Sequence, residues 1–289
     1  MSESLTRLRL PNRLAAKAHD LASGELMPVP PRDSATVVLL RERPGGAGAG
    51  IEAYMLRRAP SMKFAPGAYV FPGGSVDQRD ADRQVGWSGP APADWAARLD
   101  VDEPLARALV CAAVRETFEE SGVLLAGPTA GSVVEDTRGE EWEADRQSLL
   151  DRSLSLAELL QRRGLLLRSD LLRPWAHWIT PEFEPRRFST RFFVAELPAG
   201  QRARDISGEA DHVVWEPPRR ALEAYERGEL TIMPPTAVTL LELASHDTVE
   251  GVLGEGDERD VNSRLPKMIV DEAGEVHLVL PDDPEYPNE

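Results

Sequence analysis

Apolar positions in this chain recur with two different periods. Ser34-Ala35-Thr36-Val37-Val38-Leu39-Leu40 and Ile51 to Leu56 are short, mainly apolar runs, which predicts strands. The glycine-rich stretch Pro44 to Gly50 between them predicts a hairpin turn. Ala68 to Phe71, Trp175 to Thr180, Ser189 to Ala195 and His212 to Trp215 predict further strands. After residue 103 the period changes. Leu105, Leu109, Ala112, Ala113 and Phe118 form a stripe at helical spacing; Asp102 and Glu103 lead into Pro104, and Gly122 suits the stop. Trp142 to Arg163, with six leucines from Leu149 to Leu160, predicts one more helix, and Arg219 to Arg227 and Pro235 to Ser245 predict two others.

Other segments lack a clear period. Ala81 to Val101 holds Trp87, Pro90, Pro92 and Trp95 and reads as a loop with at most a short helix. Asp247 to Asn262 is acidic and glycine-bearing and reads as a linker, followed by a hairpin from Lys267 to Val270 and Val276 to Leu280. Strands and helices alternate without a steady βαβ rhythm, which predicts an α/β fold with a mixed sheet and helices on its faces. The expected organisation is an N-terminal extension over residues 1–32, one domain over 33–247 with insertions near 81–103 and 126–174, and an acidic linker and C-terminal hairpin over 248–289.

Charge narrows the partners. The 289 residues carry a formal net charge of −16, which disfavours nonspecific binding to nucleic acid or anionic membranes. No apolar run approaches 18 residues, so no membrane span is expected. Met1-Ser2-Glu3-Ser4-Leu5 lacks a basic-then-apolar leader, and the single Cys111 excludes an internal disulfide; both fit the cytoplasm. Cys111 lies beside the helical stripe and is expected to pack.

The sharpest chemical signal is Arg115-Glu116-Thr117-Phe118-Glu119-Glu120-Ser121-Gly122-Val123. Glu116, Glu119 and Glu120 stand at i, i+3 and i+4, which puts them on one helical face. Three like charges repel, and a divalent cation relieves that repulsion; hard carboxylate oxygens suit Mg²⁺ or Mn²⁺. A solvated acidic face is the plainer alternative. Upstream, Phe71-Pro72-Gly73-Gly74 breaks a short strand into a glycine turn, where the Gly73 carbonyl can approach a metal.

Together these residues resemble the Nudix hydrolase signature: Gly, five residues, Glu, seven residues, then Arg-Glu-apolar-any-Glu-Glu-any-Gly-apolar. Gly74 matches the first position, and Arg115, Glu116, Glu119, Glu120, Gly122 and Val123 match the second half. Three departures stand out. Asp80 replaces the early Glu, Thr117 replaces an apolar residue, and the seven-residue spacer becomes the 34 residues Ala81 to Val114. Such an insertion resembles the subgroup that contains the peroxisomal coenzyme A diphosphatases.

The resemblance implies an α/β/α sandwich. It also implies a Mg²⁺ (or Mn²⁺) ion held by Glu116, Glu119 and Glu120 with the Gly73 carbonyl, and an Arg115 that pairs with and orients a signature carboxylate. Glu209, on a loop entering a strand, is the best external candidate for the base, ahead of Glu182; Glu119 and Glu120 are the others in the signature. Arg58 and Lys63, with Gly67 and Phe71, fall on the spacing of a pattern seen in coenzyme A-cleaving members, with Arg191 as a further phosphate-binding candidate. The implied activity is hydrolysis of coenzyme A or acyl-coenzyme A to 3′,5′-ADP and a phosphopantetheine. The alternatives are another nucleoside diphosphate derivative, such as ADP-ribose or NADH, and a Nudix-fold module without catalysis. The implied partner is a small molecule, with a homodimer left open.

Overall fold

The computed structural model describes residues 7–9, 17, 20–21, 23–45, 50–60, 65–204, 210–271 and 275–287. The elements run in order: β1 (Arg7–Arg9), β2 (Arg32–Glu42), β3 (Ile51–Arg58), β4 (Tyr69–Val70), β5 (Gly73–Ser75) and β6 (Trp87–Ser88), then α1 (Pro92–Leu99) and α2 (Glu103–Ser121). Next come β7 (Ala126–Gly127), α3 (Glu140–Leu150), α4 (Leu156–Arg163), β8 (Leu166–Arg168), β9 (Arg173–Ile179), β10 (Phe188–Glu196) and β11 (Ala210–Glu216). The chain ends with α5 (Pro218–Glu226), α6 (Pro234–Leu243), α7 (Val249–Glu258), β12 (Ser263–Arg264), β13 (Lys267–Val270) and β14 (Val276–Val279). Two compact units result: Met1–Asp33 with Ala176–Thr190 and Asn262–Glu289, and Ser34–Trp175 with Arg191–Val261.

The second unit is built on a sheet in which β11, β3, β2 and β10 lie in that order. β11 runs antiparallel to β3 with Val213 opposite Leu56, and β5 runs antiparallel to β2 with Gly73 opposite Thr36. A small second sheet pairs β6 parallel and β7 antiparallel with β8, so strand directions are mixed. Val37 to Leu40 are all buried, so β2 is covered on both faces; that is the mark of a central strand between layers. Helix α2 runs through the core, with Ala106 and every residue from Ala108 to Glu119 buried. Around it pack Trp95, Leu124, Leu125, Leu159 and Phe193. The fold is α/β with a mixed sheet, as the pattern predicts.

In the first unit β14 pairs antiparallel with both β1 and β13, and β12 runs parallel to β9 at His177 and Trp178. Arg187 fixes the chain leading to β2, donating from Nη1 to the Val29 carbonyl at 2.9 Å. Among the described residues no helix is long and apolar enough to cross a membrane.

Two segments differ from the sequence expectation. The helix expected over Trp142 to Arg163 is two helices. Asp151 accepts from Ser153 N–H, Arg152 takes φ 62°, and Ser155 opens α4 with a capping box to Glu158, so local polar chemistry breaks a continuous apolar pattern. The expected linker Asp247 to Asn262 holds α7, whose glycines and acids hide its helical period. Thr248 caps it, Val249 and Val252 are buried, and Arg98 donates to the Gly256 carbonyl at 2.8 Å. The segment 81–101 matches its expectation: it contains the short helix α1, anchored by Trp95, which is fully buried edge-on to Phe193 at 5.7 Å. Trp87 donates to the Pro90 carbonyl at 2.7 Å, so both tryptophans pack.

Candidate functional site

The site begins where β5 meets α2. A Cβ on Gly73 would fall 2.4 Å from Thr36 Oγ1 and 2.6 Å from the Ala35 carbonyl, so the sheet leaves room only for glycine there. A Cβ on Gly74 would fall 2.4 Å from Glu116 Oε1. One glycine thus lets the strand sit against β2, and the next lets the acidic helix approach. Gly73 N–H donates to Glu120 Oε2 at 2.9 Å. The two halves of the signature therefore touch, despite the 34 residues between them.

A short 3₁₀ turn, Gln78–Ala81, follows β5. Asp77 caps it, accepting from Arg79 N–H at 2.9 Å, while Asp80 Oδ2 accepts from Asp77 N–H at 2.8 Å. This reciprocal cap swings Asp80 inward, where it is 3% exposed. There it meets Arg115. Arg115 Nε donates to Asp80 Oδ1 at 3.0 Å, and Nη2 to Asp80 Oδ2 at 2.9 Å and to the Ser75 carbonyl at 3.0 Å. Nη1 donates to Glu116 Oε1 at 2.8 Å and to Glu119 Oε1 at 3.3 Å. All five N–H groups of the guanidinium are used.

The charges do not cancel. Asp80, Glu116 and Glu119 bring three carboxylates to one guanidinium. Burial pushes Glu116 up to about 7 against the pull of Arg115, with Glu119 and Asp80 adding to the rise. Glu119 is raised by the same burial, again opposed by Arg115. Burial also opposes the charge on Arg115, but its carboxylate partners outweigh it and keep it protonated.

Hard oxygen donors with unneutralised negative charge are what a divalent cation needs, so the donor set fits such an ion. Arg115 holds Glu116 and Glu119 while Glu120 faces Gly73, so the three glutamates do not meet at one point among the described residues. Gly73 contacts the helix through its N–H.

Of the other expected site residues, Arg58 ends β3, its backbone bonded to Ala68 and Gly67. Arg191 is buried within β10. Lys63 and Glu209 lie outside the described residues. Thr117, a departure from the signature, is fully buried, and its hydroxyl donates to the Ala113 carbonyl one turn back at 2.7 Å. The sequence reading missed Asp80 as a partner of Arg115. Its signal was the Asp77-x-x-Asp80 spacing of a capping box. It also missed Arg146, which lies in the helical insert and donates to the Glu119 carbonyl at 2.8 Å.

Residues 91–243 match the model of the NUDT19 Nudix domain, a span that contains α2 but begins after the glycine turn. The chain is 30% identical to the human protein named acyl-coenzyme A diphosphatase NUDT19, covering 82% of this chain and 72% of that one. It is 26% identical to the Xenopus laevis protein of the same name, over 82% of this chain and 72% of that one. A crystal structure of a Nudix hydrolase from Alicyclobacillus acidocaldarius superposes with a TM-score of 0.66 at 30% identity, covering 78% of this chain and 96% of that one. Hydrolases of this kind generally work with a divalent metal ion. The chain belongs to the Nudix hydrolase family, with the Nudix domain of the NUDT19 type.

Proposed function

We propose that this protein is a Mg²⁺- or Mn²⁺-dependent diphosphatase that cleaves the phosphoanhydride of coenzyme A or acyl-coenzyme A, releasing 3′,5′-ADP and the phosphopantetheine half. One observation carries the chemistry: three buried carboxylates, Asp80, Glu116 and Glu119, gather around the single guanidinium of Arg115. The substrate class is supported by the relatives named acyl-coenzyme A diphosphatase.

In this reading Glu116, Glu119 and Glu120 hold the metal, which when bound lowers the pKa of water and offsets charge on the phosphate oxygens. Arg115 acts as a positioning residue, since its guanidinium is enclosed by carboxylates and the Ser75 carbonyl. It spaces Glu116 from Glu119 and ties both to the 3₁₀ turn through Asp80. Glu120, beside the Gly73 amide, or Glu209 takes the proton of the attacking water. Arg58, Lys63 and Arg191 supply positive charge for the substrate phosphates.

The decisive experiment offers coenzyme A, acetyl-coenzyme A, dephospho-coenzyme A, ADP-ribose and NADH with Mg²⁺ or Mn²⁺ and identifies the products by mass. Release of 3′,5′-ADP as the fastest reaction is the expected result. Preference for ADP-ribose or NADH would replace the substrate, and no turnover of any of them would favour a binding module.

A further inference from the structure

Helix α2 ends at an awkward place. Gly122 adopts φ 73°, its N–H bonds to the Phe118 carbonyl, and the helix stops. The carbonyl of Glu119 would normally accept from the N–H of Val123, one turn on. That N–H instead bonds to Ser121 Oγ at 3.2 Å. The Glu119 carbonyl is thus left without its helical donor at a buried position.

Arg146 takes that place. It reaches from α3 and donates from Nη1 to the Glu119 carbonyl at 2.8 Å. Its side chain is 1% exposed and is gripped from the other side by Glu143, at 3.0 Å to Nε and 2.5 Å to Nη2. Trp142, on the same helix, packs edge-on against Phe118 at 6.1 Å, fixing the two helices together beside this bond. Glu119 is therefore held twice: Arg115 takes its carboxylate and Arg146 takes its main chain. A cation at a helix C-terminus is also favoured by the helix dipole.

We propose that Arg146, in the helical insert, is a positioning residue for metal binding: by holding the main chain of Glu119 it fixes where that carboxylate points. This rests on the assignment of Glu119 as a metal ligand. Removing an outer partner that orients a ligand typically weakens metal affinity about 10–100-fold.

The test is direct titration of the full-length protein with Mn²⁺, read by electron paramagnetic resonance without substrate and at a temperature where circular dichroism shows every variant folded. Arg146→Ala should weaken Mn²⁺ binding at least about tenfold. Arg146→Lys, which can still donate to one carbonyl, should recover most of that loss. In activity assays, at fixed subsaturating Mn²⁺, kcat should fall with little change in KM for the nucleotide. Unchanged Mn²⁺ affinity in Arg146→Ala overturns the proposal, as does loss that Lys does not repair. If Arg146→Ala does not fold, Glu143→Ala releases the grip on Arg146 and should weaken Mn²⁺ in the same direction; no change there overturns the proposal as well. Wild-type protein whose Mn²⁺ binding is indifferent to Glu119→Gln would instead refute the metal assignment itself, a separable result.

Discussion

Asp80 and Arg115 stand 35 residues apart and meet as a two-point ion pair, Nε to Oδ1 at 3.0 Å and Nη2 to Oδ2 at 2.9 Å. The pair joins the 3₁₀ turn after the glycine strand to the acidic helix. Asp80→Ala would leave two buried N–H groups and a buried positive charge with fewer partners. Breaking such a pair costs about 3–5 kcal/mol. The expected outcome is a lower urea midpoint with an unchanged slope, together with reduced kcat. A stability change below about 1 kcal/mol, the typical worth of an exposed pair, would show that the pair is dispensable.

Gly74→Ala separates activity from stability. The new Cβ would crowd Glu116 Oε1, which is the far end of a side chain and can move. The fold should survive, but the carboxylate leaves its place beside Arg115. Misplacing a reacting group by about 1 Å can cost roughly 100-fold in rate. Steady-state kinetics alongside a thermal melt should show kcat down by at least about tenfold with Tm nearly unchanged. Normal turnover would mean that the position of Glu116 is not critical.

Substrate choice is tested at Arg58 and Lys63. Coenzyme A carries a 3′-phosphate that ADP-ribose lacks, and charge-assisted contacts contribute about 1.5–3 kcal/mol each. The double variant Arg58→Ala, Lys63→Ala should lower kcat/KM for coenzyme A about ten- to a hundredfold or more. Dephospho-coenzyme A should be barely affected. Equal losses on both would assign these cations to the diphosphate or to the fold.

Acid stability has a named contributor. The Arg79 side chain holds the Asp77 carboxyl at about 2, well below its ordinary 3.8. A group whose folded pKa is depressed stabilises the native state above its unfolded pKa, and that contribution fades as pH falls from about 3.8 to 2. Asp77→Asn should therefore flatten the stability profile across that window while lowering stability at neutral pH. Denaturation at several pH values would reveal it; parallel wild-type and variant curves would exclude Asp77.

The legibility of this chain in its sequence follows the range of each interaction. Helix α2 was readable because Asp102, Pro104 and Gly122 mark its ends locally. Strands β2 and β3 were readable as short, mainly apolar runs on either side of a glycine-rich turn. The acidic triplet announced a charge problem but not its solution. That Arg115 sits among the carboxylates depends on Asp80, which a turn brings in from 35 residues away. Arg146 looked like any cation on a surface helix, because nothing local reveals a missing carbonyl donor in another element. The breaks at Arg152 and in the glycine-bearing α7 failed to register for the opposite reason: a single backbone turn outweighed an apolar pattern, and tertiary packing outweighed low propensity.

The closed end of α2 has a consequence for motion. Terminal helical turns ordinarily fray and re-form far faster than any turnover. Here the Glu119 carbonyl accepts from Arg146, that of Ser121 from Arg204 N–H at 2.9 Å, and that of Gly122 from Thr137 Oγ1 at 2.5 Å. The glutamates are thus carried on a rigid mount, and its rigidity comes from residues 15 to 83 positions further along the chain. Local opening of the segment that bears Thr137 and Arg146 would release that mount while the central sheet stayed intact. The expected outcome is loss of activity below the temperature at which the core melts; coincident loss of activity and of circular dichroism on one thermal ramp would exclude it.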